Sequence, residues 1–278
     1  MESLDHRVIM SIAAGLVLLA GGGFYFALTP RAPESLAPVS RPAPASAPAP
    51  SAPAAAAKPQ PATPESVEAE IAKSDHAELQ ALLKRAFPDE YRDLIAAAVQ
   101  TRNEGASDAD VGRETFTKFQ SILRANLKFA VGASTAAIDR LAANEIRLFA
   151  ALGAAGSDYC LAVLGRSENQ GPVVPPDDIR RLMRLATLHR FEAIVEGRSR
   201  MVTVDALSAE ELKAFEAVLA KAGLTLNEIR SGEFLNKEGD GPGKPCVMVD
   251  RLYRAVAQLD ESPRCKLFVS MFFMGRDR

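Results

Sequence analysis

Apolar positions along this chain follow three regimes. The first is a continuous run: about 21 residues from Val8 to Leu28 carry no charge. At 1.5 Å rise per residue, a helix of that length crosses a hydrocarbon core of roughly 30 Å, and helix is the form that satisfies a backbone in lipid. The second is a near-absence. From Pro30 to Pro64 large apolar side chains almost vanish, and eleven of the 18 prolines stand among alanine and serine. Such a segment buries too little surface to offset its ordering entropy. Proline biases it towards extended polyproline II, with a reach on the order of 100 Å. The third regime, from Glu65 onward, is periodic, and the period is that of an α-helix.

Caps divide the periodic part into elements. Thr63-Pro64-Glu65 is a helix start, with a capping side chain, a proline in the first turn and an acid. Val67, Ile71, Leu79, Leu82, Leu83 and Phe87 follow at helical spacing, with a restart at Ser74-Asp75. Phe87-Pro88-Asp89-Glu90 opens the next helix, whose apolar face is Tyr91, Leu94, Ile95, Ala98 and Val99, and Gly105 ends it. Ser107 to Asp110 caps a long helix whose stripe runs Val111, Phe116, Phe119, Ile122, Leu123, Leu127 and Ala130. Ile138, Leu141, Leu148, Phe149 and Leu152 mark another, and a short one covers Asp158 to Leu164. Pro175-Pro176-Asp177-Asp178 starts a helix to about Glu196. Ser208 to Glu211 and Thr225 to Glu228 are capping boxes, the first helix being closed by Gly223. Cys246 to Leu259 and Pro263 to Met274 form two final helices. Period-2 alternation goes no further than Met201 to Val204, and no repeat of solenoid length stands out.

The expected fold class is therefore all-α: an irregular bundle of about 8–10 helices over residues 65–278. One transmembrane helix (8–28) and a disordered linker (29–64) precede it, with residues 1–7 as a cytoplasmic flank. A competing reading makes Val8 to Ala20 the apolar region of a cleaved signal peptide, with Ala20-Gly21-Gly22 as its cleavage site. Against that, only Arg7 offsets Glu2 and Asp5 before the run, and the apolar stretch continues to Leu28. The pairs Ser11/Gly15 and Gly23/Ala27 would let two spans approach closely as a homodimer.

Composition narrows the partners. Residues 65–278 hold 29 Lys+Arg and 32 Asp+Glu, a formal charge of −3. That balance projects no field towards nucleic acid. Tryptophan is absent, which weakens a carbohydrate-stacking role. The three cysteines are Cys160, Cys246 and Cys265. Cys246 and Cys265 each stand near the start of consecutive helices; if those helices are antiparallel, the intervening helix of about 13 residues holds them roughly 20 Å apart. A disulfide needs Cα atoms within about 7 Å. A bridge, if present, is expected to use Cys160, with Cys246 as partner and Cys265 as the alternative. The competing reading is three small core residues.

Catalytic chemistry is sparse. Gly239 to Lys244 looks like a phosphate loop, but Glu238 stands where its first glycine belongs and Pro245 where Ser or Thr must follow the lysine. No CxxC pair or histidine cluster marks a metal site, and no cofactor is expected. His189 falls within the apolar face of Ile179, Leu182, Leu185, Ala186 and Ala193, where a satisfied core histidine is the plain reading. With the Asp158/Tyr159 region it is the candidate centre for a tethered enzyme. Arg180 and Arg184 lie on another side of the same helix and would meet an anionic partner; the plain alternative is a solvated face paired with acids such as Asp177. The run Phe268 to Met274 is apolar nearly all round and is expected to close the core, although Phe272 and Met274 would suit a partner if exposed.

The sequence thus points to a bacterial inner-membrane protein that presents a helical domain on the periplasmic side. The domain is more simply an interaction, adaptor or assembly module for other envelope proteins than an enzyme. A phosphatase reporter that matures only in an oxidising compartment, fused after Pro64, should be active. A fluorescent protein that matures only in the cytoplasm, fused at the same point, should be dark.

Overall fold

A computed structural model of the chain describes residues 61–164, 175–200, 205–236 and 244–274. The expected span, most of the linker, the Met201–Val204 stretch and the glycine-rich loop lie outside the described residues. Among those described every regular element is helical, and no helix is long and apolar enough to cross a membrane.

The helices are α1 (Pro64–Ala72), α2 (Ala77–Ala86), α3 (Pro88–Asn103), α4 (Asp108–Asn126), α5 (Thr135–Ala155), α6 (Ser157–Val163), α7 (Asp177–Gly197), α8 (Ala209–Lys221), α9 (Leu226–Ser231), α10 (Lys244–Val256) and α11 (Glu261–Val269). Their starts follow side-chain chemistry. Thr63, Ser107, Ser134, Ser208 and Thr225 each accept a hydrogen bond from a backbone N–H of the first turn. In three of these, Ser66, Glu211 and Glu228 bond back to the cap's own N–H, which closes a capping box. Gly105 and Gly223 take φ of 82° and 71°, a left-handed backbone that a side chain resists, so the chain turns there.

One continuous core runs through the molecule. Helices α1 to α4 form the first half, with α3 against α4; α5 packs on α10 and α7 in the second. Helix α7 joins the halves, touching α2 on one side and α5 on another. Two aromatic clusters anchor the ends. Phe191 of α7 meets Phe87 edge-on at 5.6 Å and Phe119 at 5.0 Å. Tyr253 of α10 is edge-on to Phe149, Phe268 and Phe272 at 5.4 to 6.2 Å.

The long helix expected from Val111 to Ala130 ends early. At Asn126 the chain tightens into a 3-10 segment, Leu127–Gly132. Leu127 and Ala130 remain buried, because residues three apart share a face in either helix type. The cause lies across the core, where the segment meets the C-terminus of α7 backbone to backbone. A Cβ on Gly197 would stand 1.9 Å from the Phe129 carbonyl oxygen, and one on Gly132 2.1 Å from that of Arg200. Arg198 locks the same corner. Its guanidinium lies 4.0 Å from the Phe87 ring centroid and donates to the Ala86 carbonyl (2.7 Å) and to Asn126 Oδ1 (2.6 Å).

At the other end the last turn, Ser270–Met274, widens to a π-helix. Phe272 is 4% exposed and stacks on Phe268 at 5.4 Å, so it belongs to the core and offers no surface to a partner. The Met274 side chain lies outside the described residues. Nearby, Glu211 of α8 receives Lys266 Nζ at 2.8 Å and Ser262 Oγ at 2.8 Å from α11. Partial burial opposes its charge, but these donors and the Ser208 N–H prevail and hold the carboxyl down at about 2.

Two outcomes follow. Gly197→Ala must push the 3-10 segment away from α7, and overpacking of this kind costs about 1–3 kcal/mol, measurable by urea denaturation. The Glu211 carboxyl lies below its unfolded value of 4.5. Its stabilisation is therefore complete above that pH and is lost as pH falls towards 2. Glu211→Gln should lower stability at pH 7 by on the order of 3 kcal/mol, and by far less near pH 2.

Candidate functional site

Helices α1, α2, α3, α4 and α7 enclose a groove of about 480 Å³. Its floor is apolar. Leu83, Tyr91, Leu94, Ala98 and Phe119 line it and are each at most 5% exposed. The Tyr91 hydroxyl accepts from Gln80 Nε2 at 2.7 Å, which satisfies the phenol at the wall. Burial raises the phenol's pKa, so it stays protonated. Val67 and Ile71 of α1 and Leu79 of α2 supply one side, Val111, Gly112 and Thr115 of α4 the other.

Charges sit in two clusters on the lining. Arg102 Nη1 bonds Glu70 Oε2 at 2.6 Å, and Asp108 lies 3.9 Å from its Nη2. In the other cluster Arg184 pairs at 3.0 Å with Asp75 of the turn between α1 and α2, and Arg180 pairs with Asp177 one turn before it. Within this second cluster the depths differ. The Arg180 and Arg184 side chains are 16% and 20% exposed, their partners Asp177 and Asp75 72% and 73%. The guanidiniums are thus part of the groove, while the acids stand at its edge. Arg180 Nε is buried and makes no hydrogen bond. The spacing of four residues puts both arginines on one face of α7, about two and three turns before Phe191.

Of the residues singled out in the sequence, Arg180 and Arg184 come together here. His189 does not line the groove. It is half-buried on α7 with Nδ1 unbonded, and burial lowers its pKa, with Glu192, Arg140, Arg147 and Glu78 around it. Tyr159 packs against the core, and the Asp158 side chain lies outside the described residues. Cys160 and Cys246 are joined as a disulfide with Cα atoms 5.7 Å apart, tying α6 to α10. Cys265 is free and half-buried, and burial raises its thiol pKa. No group of three His, Cys, Asp or Glu suited to a metal ion occurs among the described residues.

Sequence reasoning missed the groove as such, together with Gln80 and Arg102, and placed Tyr91 only on an apolar helix face. The one available signal was a set of polar residues, Gln80, Arg102 and Arg180, on helices whose apolar stripes were otherwise complete. No family model matches the chain, and no curated protein or solved structure does either.

Proposed function

We propose that this chain is a single-pass envelope protein that holds an all-helical, non-enzymatic binding module on the periplasmic side of a bacterial inner membrane. The observation that carries the reading is the groove, an apolar floor with guanidiniums set into one wall. A site of this size and composition is what a binding module needs. It also lies close to where the chain enters the domain. Asn103, at the end of α3, donates to the Ala62 carbonyl and accepts from the Ala62 N–H, and α1, one of the groove's walls, begins two residues later.

The uncharged run and the proline-rich tract support a tether that leaves the groove free to meet other envelope components. A disulfide between Cys160 and Cys246 supports an oxidising compartment, since such bridges persist there and not in the cytosol. The alternative of a tethered enzyme centred on His189 gains nothing from the groove, because that imidazole does not line it.

Photo-cross-linking in intact membranes tests the proposal. A photoreactive residue replacing Asp108, on the groove's rim, should give a discrete adduct. The same residue replacing Val247, an exposed position outside the groove, should give none. Absence of adducts from position 108, or the same adducts from both positions, would overturn the reading. Alkylated, unreduced protein from the same membranes should yield the Cys160 and Cys246 peptides linked and Cys265 alkylated alone.

A further inference from the structure

We infer that the groove binds a long-chain carboxylate, a fatty acid taken from the bilayer beside which the tether keeps the domain; the source of the ligand rests on the tethered-module reading above.

Three observations converge on this ligand. The first is shape. A groove of about 480 Å³ lined by Leu83, Leu94, Ala98 and Phe119 is the size of a single small amphiphile, not an extended strip for a partner helix. The second is charge by depth. On the α7 wall the recessed charges are the guanidiniums of Arg180 and Arg184, and the acids that neutralise them are more than 70% exposed. Asp177 and Asp75 stand in water at the rim, so an entering carboxylate displaces them with little loss of their own solvation. Guanidinium matches a carboxylate with two parallel hydrogen bonds, which an alcohol or ester head lacks. The third is an unmet donor. Arg180 Nε is buried without an acceptor, although Nη2 of the same guanidinium donates to Asp177, and a carboxylate oxygen at that point supplies the missing bond. The floor then takes the chain, in water-poor surroundings that strengthen the head contact.

The ligand's route fits the fold. Helix α1 forms one wall of the groove and buries only Val67. It is tied to α2 and α3 through the ion pairs Lys84–Glu68 and Arg102–Glu70 and through Gln80 Nε2, which donates to the Glu68 carbonyl at 3.2 Å. A wall held this lightly opens at little cost and closes over an acyl chain.

The experiment uses the full chain in lipid nanodiscs with three photoactivatable probes: a palmitic-acid analogue, the corresponding alcohol and a lysophosphatidylcholine. Cross-linked peptides are mapped by mass spectrometry, and labelling of the Val8–Leu28 peptide reports exposure to each probe. The acid should label peptides of α3 and α4 that carry Leu94, Ala98 or Phe119. Thr115→Trp and Ile71→Trp, two separate ways of filling the groove, should each abolish that label; the variant whose thermal transition matches the parent is the one read. Arg180→Gln with Arg184→Gln should lower acid labelling roughly tenfold, the scale of one lost charge-assisted hydrogen bond, and leave alcohol labelling unchanged. Labelling confined to the span peptide, equal labelling by acid and alcohol, or labelling by the lysophospholipid alone would overturn the inference. If position 108 also gave a protein adduct, the binding-module reading would stand while the fatty-acid assignment fell.

Discussion

The arrangement of both halves depends on a charged pair that the core has closed over. Arg190 of α7 and Glu145 of α5 are ion-paired at 5% and 1% exposure. Taking two charges out of water is costly, and only close geometry in a low-dielectric setting returns the expense. What the pair provides is register, because α5 and α7 sit correctly only where the two side chains meet. Asn144, the residue before Glu145, donates to the Leu182 carbonyl at 2.8 Å and repeats the constraint two turns away along α7. The phenol of Tyr253 feels the same charges. It is fully buried, and with the Glu145 carboxylate near it its pKa lies far above the usual range.

Once α7 is fixed on α5, its adjacent face is fixed as well. Met183, Ala186, Arg190 and Ala193 follow one stripe towards α5, while Arg180, Arg184, Thr187 and Phe191 follow another, at helical spacing, towards the first half of the molecule. At the far end of this second stripe Phe191 is packed between Phe87 and Phe119. At the near end the stripe becomes polar, the packing stops and the groove begins. The site is thus what remains when a helix is held tightly at its C-terminal half, by Phe191, Gly197 and Arg198, and faces its neighbours with two arginines at its N-terminal half.

This geometry also explains what was legible in the sequence. Helix starts were, because capping is local: Thr63, Ser107, Ser208 and Thr225 act within three residues of themselves. The all-α class was, because no stretch competes with the helical period. The break after Asn126 was not. Leu127 and Ala130 keep a spacing of three that both helix types accept, and the constraint is set by Gly197, far along the chain. Phe272 illustrates the reverse problem. An all-round apolar run signals burial, and burial removes the same side chains from any partner. For the groove, Arg180 and Arg184 were visible as a pair, but their depth was not, since depth comes from α1 to α4 and leaves no trace in α7 itself.

The proline-rich tract and the groove then meet in one element. Helix α1 is where the proline-rich tract joins the domain, and it is also a wall of the groove. Its hold is modest: Val67 buried, Ile71 partly so, two partly exposed ion pairs, the Gln80 donation to the Glu68 carbonyl and the two hydrogen bonds between Asn103 and Ala62. The rest of the molecule is arranged so that this does not matter for stability. The buried pair, the two aromatic clusters and the link from α6 to α10 all lie on the far side of α7 or at its C-terminal half. Occupancy of the groove and the position of α1 are therefore coupled: whatever fills the groove adds apolar contacts to Val67 and Ile71 and strengthens the one element that the core leaves weakly held.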